Sequence, residues 1–155
     1  MTPSPVSAGP AMPSRAIWLI SCSGLVPFLV CLGLIYGVPS QRAAAIQAFV
    51  AYSALTLTFL GGARWGAELV RAPDSPALGR LMAAAIPSVV GLFALLPQVP
   101  PRLAIGLLLS SSAWQLTWDV AAARAGLLPA WNGRVRTVMT VLGTVCTVGV
   151  LPAVW

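Results

Sequence analysis

The chain has 155 residues, of which 58% are hydrophobic and only 8% charged, against about 25% charged in soluble domains; its mean hydropathy is +0.89. So few charges cannot coat a globular surface, and the composition predicts a membrane protein. The net charge of +6 comes from nine arginines and three acids, with no lysine. These arginines are scattered between apolar runs rather than gathered on one face, which excludes a nucleic-acid surface and points to topology signals in a bilayer.

Residues 1–14, rich in Pro, Ser and Ala, read as a disordered tail. Only Ala16 to Ile20 separates Arg15 from Ser21-Cys22, too short for the ~7–15 apolar residues of a signal peptide. The tail also makes a poor mitochondrial presequence, so the expected setting is a bacterial inner membrane. Residues 15–155 are expected to form one all-α domain, a compact bundle of five transmembrane helices. A hydrocarbon core of ~30 Å needs about 20 apolar helical residues, and five stretches qualify.

The first span, 16–36, contains Pro27, tolerated in a bilayer when neighbours satisfy the freed backbone groups. Gly37-Val38-Pro39-Ser40 reads as a turn. The second span, 43–69, places Gln47, Ala51, Ala54, Thr58 and Gly61/Gly62 on one small, weakly polar face suited to close helix contact. Gly62 and Gly66 form a GxxxG pair, as do Gly33 and Gly37. After a loop through Pro73, Asp74 and Pro76 comes the third span, 77–96, with Pro87 near its middle. A stiff turn, Pro97 to Pro101, leads to the fourth span, 103–123. Its Ser111, Ser112, Gln115 and Asp119 share one face, which should point into the bundle rather than at lipid. A connection carrying Pro129, Trp131 and Asn132-Gly133 leads to the fifth span, 135–154, anchored by Trp155.

Five spans place Arg15, Arg64, Arg71, Arg80, Arg124, Arg134 and Arg136 on one side and only Arg42 and Arg102 on the other. The arginine-rich side should be cytoplasmic, which predicts an inner N-terminus and a periplasmic C-terminus. At ~1.5 Å per residue, Arg64 lies ~33 Å from Arg42 and Asp119 ~25 Å from Arg102, so the two reach similar depth near the inner face.

The stretch from Phe59 to Glu68 is the densest mixture of residue types in the chain. Gly61, Gly62 and Gly66 read as helix-packing positions. Arg64 and Glu68, four residues apart, are expected to pair locally. Asp119 is costly at the edge of the core unless paired, and Arg64, Arg134 or Arg136 are its candidate partners. Trp65, Trp118 and Trp131 all map to the inner interface, as an aromatic belt or a docking surface. Together Arg64, Trp65, Glu68, Ser112, Gln115, Asp119, Trp131, Arg134 and Arg136 form the candidate polar cluster. It either fixes register and topology or opens inwards as a binding site.

No catalytic set is visible. Histidine is absent, no phosphate-loop motif exists, and Ser110-Ser111-Ser112 lacks a base and should bond back to helix carbonyls. Cys22, Cys31 and Cys146 lack metal-ligand spacing and read as small buried hydrophobes. Neither metal nor cofactor is expected.

Phe59-Leu60-Gly61-Gly62-x-x-Trp65-Gly66 resembles the signature of an uncharacterised multi-spanning membrane family, domain of unknown function 3429, which includes transmembrane protein 69-like proteins and many small proteobacterial ones. Leu25-Val26-Pro27-Phe28 resembles the family's early Pro-Phe element. Asp119, followed by Pro129-x-Trp131-x-x-x-Val135-Arg136-x-x-Met139-Thr140, resembles its late pattern, with Asn132 where an aromatic is expected. The resemblance covers most of the chain from Ala16 onwards. It implies a helical membrane protein and supplies no activity.

The function expected is therefore that of a small polytopic inner-membrane protein, non-enzymatic, that binds or helps assemble a membrane partner complex. Its other partner is the lipid bilayer. The alternative is a small transporter or channel using the polar face of the fourth span.

Overall fold

The computed structural model describes residues 14–72 and 74–155, and among them all regular structure is helical. The predicted tail, apart from Ser14, lies outside the described residues, as does Pro73 of the predicted loop. Ser14 caps the first helix, its Oγ accepting from the Ile17 amide at 3.3 Å.

The predicted first span is two helices, α1 (Arg15–Ser23) and α2 (Val26–Gly37). Pro27 causes the break. Inside a continuous helix it would clash with the carbonyl four residues back and leave it without a donor. Placed instead at the start of α2, where an amide is unsatisfied anyway, it costs nothing. The Gly24 carbonyl exposed at the break accepts a hydrogen bond from the Tyr52 hydroxyl at 2.9 Å. A single 3-10 turn, Pro39–Gln41, leads into α3 (Arg42–Arg71), the longest helix. Then follow α4 (Leu78–Ala94), α5 (Pro101–Arg124) and α6 (Ala130–Val154).

Helix α6 starts five residues before the predicted boundary. Pro129 sets the start and its carbonyl accepts from the Asn132 amide at 2.9 Å, so the Asn132-Gly133 pair lies in the first helical turn. A Cβ on Gly133 would sit 3.1 Å from Ala123 Cβ, so the small residue serves the α5–α6 crossing rather than a reverse turn.

Among the described residues, three segments are long and apolar enough to cross a membrane: Arg15–Gly37, Pro39–Arg71 and Trp131–Val154. The patterning anticipates five. Helix α4 is apolar but has only 17 residues. Helix α5 is long enough, but Ser110 to Ser112, Gln115 and Asp119 dilute its apolar content.

Helix α3 occupies the centre, touching α2, α4 and α5, while α6 packs on α5, α2 and α1. Phe28 meets Phe49 and Tyr52 edge-on, with centroids 5.1 and 4.9 Å apart, a geometry set by the ring quadrupoles. Ile105, Leu57 and Val150 complete a dry core. Between α3 and α4 the backbones nearly touch. A Cβ on Gly61 would lie 2.6 Å from the Ala84 carbonyl oxygen, and one on Gly91 3.2 Å from that of Ala54.

Two sequence expectations are corrected here. Gly62 and Gly66 do not pack within the bundle: both are exposed, with no atom within 4 Å of a built Cβ. They lie on the α3 face turned away from α4, where the close contact falls to Gly61 and, from α4, to Gly91. Of the cysteines, Cys31 and Cys146 are buried but Cys22 is exposed.

These contacts predict a sharp contrast between adjacent glycines. Gly61→Ala should lower stability by about 1–3 kcal/mol through overpacking. Gly62→Ala should stay within about 0.5 kcal/mol of the parent. Thermal unfolding of the two variants in detergent checks both values.

Candidate functional site

On α5 the residues Ser111, Gln115, Asp119 and Ala122 recur at helical spacing and are all buried. This polar stripe faces α3, which sends Arg64 towards it. The Arg64 side chain is only 4% exposed. Its guanidinium carbon lies 4.0 Å from the ring centroid of Trp118 and 5.1 Å from that of Trp114. Cation–π attraction of this kind strengthens as water is excluded. It leaves the in-plane N–H donors free. Arg64 Nε and Nη1 have no hydrogen-bond partner among the described residues, nor do Ser111 Oγ or either amide atom of Gln115, which is fully buried.

The acid nearest to hand is already engaged. Asp119 Oδ2 accepts from Nε of Arg136, on α6, at 2.6 Å, the Asp119 side chain being buried and that of Arg136 partly so. Of the three candidate partners for Asp119, Arg136 is the one that reaches it. Arg134 lies elsewhere, lining an outer groove of about 700 Å³ with Arg124 and Trp18.

The expected Arg64–Glu68 pair is not formed. Glu68 turns instead to the α3–α4 connection. It accepts from Arg71 Nε at 2.9 Å, from Arg71 Nη2, and from the Ala77 amide at 3.2 Å, with Arg80 at 3.6 Å. The reason is competition: Arg71, three residues on in the same helix, converges on one carboxylate with the Ala77 amide and Arg80 at the start of α4, whereas Arg64 points inwards to the indoles. Glu68 therefore staples two helix ends and stands apart from the Asp119 cluster.

The aromatic residues divide likewise. Trp65 is exposed, Trp118 stacks on Arg64 rather than joining a belt, and Trp131 lines a cavity. Trp114 was not among the sequence-derived candidates. Its spacing of four from Trp118 on α5 was the available signal. In the serine run, Ser110 bonds back to the Gly106 carbonyl at 2.9 Å as expected, but Ser111 does not. Ser112 lines a small cavity of about 90 Å³ with Arg136 and Thr140.

A second, larger cavity of about 680 Å³ runs along α3 between α1 and α6. At one end it is lined by Arg64, Asp119, Arg136 and Trp131, and further along by Tyr52, Leu55, Phe59 and Ile20. Leu55, Phe59 and Ile20 are 64%, 74% and 73% exposed, so they mark its mouth on the outer apolar surface.

Among the described residues the fold is thus all-helical, with three segments long and apolar enough to cross a membrane and a buried polar cluster flanked by indoles. Residues 13–152 match the family described as "Protein of unknown function (DUF3429)". The chain belongs to that family. No curated protein and no solved structure matches it.

The Asp119–Arg136 pair yields a direct prediction. Removing one member of a buried pair strands the other charge, typically at a cost of about 3–5 kcal/mol. Asp119→Asn and Arg136→Met should each destabilise strongly. The double variant should cost less than the two together, giving a coupling of about 0.5–3 kcal/mol in a double-mutant cycle read by unfolding in detergent. Additive losses would show that the pair contributes nothing of its own.

Proposed function

We propose that this chain is a five-span bacterial inner-membrane protein that acts by binding and assembly rather than by catalysis, with its N-terminus cytoplasmic and its C-terminus periplasmic. The observation that carries this reading is the outer face of α3. Leu55, Phe59, Gly62, Gly66 and Leu69 follow one another at helical spacing along an exposed stripe. Its two glycines are four residues apart and meet nothing in the chain's own bundle. In a bilayer, helix association depends on close backbone approach at small residues, because apolar side chains gain little by leaving lipid. A glycine pair flanked by large side chains offers such a seam to a helix of another protein. The seven-to-two arginine distribution supports the orientation, which also brings the Arg64 cluster to the cytoplasmic half.

The alternative, a small transporter or channel along the polar face of α5, has one observation in its favour. The cavity beside Ser112 is lined by hydroxyls of Ser53, Thr56, Thr140, Thr144 and Thr147. At about 90 Å³ it holds at most a short file of waters. Solute flux into proteoliposomes that Asp119→Asn abolishes would favour this alternative.

For the assembly reading, affinity purification from the native membrane with mass spectrometry should recover a membrane protein in constant ratio to the chain. Gly62→Leu and Gly66→Leu should lose it while leaving thermal stability unchanged. Retention of the partner by both variants would remove the α3 seam from the account. Reporter fusions at the two ends should give opposite signals, and equal signals would overturn the five-span count.

A further inference from the structure

The cavity beside Arg64 has a shape and a charge distribution that the partner seam does not explain. Its α3 lining extends from Tyr52 to Ala67, ~22 Å by helical rise. The space is elongated along α3, and its volume of about 680 Å³ falls within the ~300–1,000 Å³ of small-molecule sites. Most of the lining is apolar: Ile17, Ile20, Leu25, Phe28, Leu55 and Phe59. The charged lining, Arg64, Asp119 and Arg136, gathers at one end.

At that end two guanidinium groups face one carboxylate. Asp119 is committed to Arg136, which leaves one positive charge uncompensated. The surplus resides on Arg64, whose Nε and Nη1 are buried without acceptors. The indole stacked at 4.0 Å steadies the cation but supplies no acceptor in its plane. An unmatched charge in an apolar interior is costly, and a guanidinium on the cavity wall is a group that grips phosphate or carboxylate. Along its length the cavity opens through exposed Ile20, Leu55 and Phe59 onto the surface that faces acyl chains.

We infer that this cavity binds an anionic lipid, with its phosphate or carboxylate head on Arg64 and Arg136 and one acyl chain lying along α3 past Phe59 and Leu55. The head neutralises the surplus charge. The chain fills the apolar length. Neutral and zwitterionic lipids lack the net charge that the polar end selects, and a free anion leaves the apolar length unfilled.

The test uses the full chain purified in a neutral detergent. Native mass spectrometry and thermal shift are read against three probes: phosphatidylglycerol, phosphatidylcholine and inorganic phosphate. The expected result is one phosphatidylglycerol per chain, at least tenfold tighter than phosphatidylcholine, with a raised melting temperature and no response to inorganic phosphate. Arg64→Gln should lose at least tenfold in affinity, and Arg64→Lys should retain part of it. Arg124→Gln, whose side chain lies outside the cavity, should bind as the parent does. Because Arg64→Gln touches the core, Ala63→Phe provides a second route: it fills the cavity beside Arg64 without altering charge, and should also abolish binding. Equal binding of both phospholipids overturns the inference, as does undiminished binding by Arg64→Gln and Ala63→Phe. Displacement of phosphatidylglycerol by inorganic phosphate alone would make the site one for a small anion. If Ala63→Phe keeps the lipid but loses a co-purifying protein, the occupant is a partner helix and the lipid reading fails. Loss of the partner in Gly62→Leu with lipid binding intact separates the two sites.

Discussion

A guanidinium in an apolar interior must share its charge with something, and Arg64 shares its with two indoles. Around that contact the rest of the polar interior is disposed. Trp114 and Trp118 lie one turn apart on α5, so the turn that stacks them over Arg64 also fixes the rotation of α5 about its axis. With that rotation set, Ser111, Gln115 and Asp119 face inwards. Asp119 then meets Arg136 and ties α6 to α5 at the same level. Few polar groups in the bundle lack an internal partner. The hydroxyls of Ser53, Thr56, Thr58 and Thr147 return to carbonyls one turn back, and Tyr52 reaches the carbonyl freed at the α1–α2 break. Among the buried side chains of the described residues, Arg64, Ser111 and Gln115 are the exceptions, the last two one turn apart on α5.

The concentration of unsatisfied groups at one level has a physical meaning. A membrane interior offers little water to rescue a stray donor, so backbone and side chains are satisfied locally wherever the fold permits. Loose donors scattered through the chain would point to poor packing. Of the three, Arg64 lines the cavity, and its unmatched positive charge points to a group supplied from outside. Glu68 marks the contrast. It is equally buried, but two donors from Arg71 on its own helix and the Ala77 amide before α4 engage it, and it has nothing left to offer a ligand.

Much of this was legible in the residues. Apolar runs and proline-rich turns locate α3, α4 and α5 to within a few positions, because length and hydropathy vary slowly along a chain. The polar stripe on α5 followed from helical spacing alone. Local rules failed where tertiary competition decides the outcome. Helical spacing allows Glu68 to pair with Arg64 at i−4 or with Arg71 at i+3, and the choice is made by the Ala77 amide and Arg80 beyond the connection and by the indoles that hold Arg64. Glycine spacing likewise marks Gly61, Gly62 and Gly66 as small. Which of them faces α4 depends on the helix's rotation, and rotation is set by contacts far apart in sequence. Pro27 illustrates a third case: a proline mid-span signals a disturbed helix, yet only Tyr52, on another helix, makes a full break tolerable.

The two outward features of α3 are neighbours, and that adjacency constrains how they can act. Phe59 belongs to both, lining the cavity mouth while standing one turn before Gly62 on the exposed stripe. An acyl chain lying past Phe59 would fix its rotamer and give the seam a firm edge. A helix docked on Gly62 and Gly66 would in turn close part of the mouth. Two ligands that each order the same side chain bind with a shared entropic cost, so either one favours the other without any movement of the backbone. Coupling of this kind needs no second conformation of the bundle, which suits a core stapled by Glu68 at one helix end and by Asp119 and Arg136 at another.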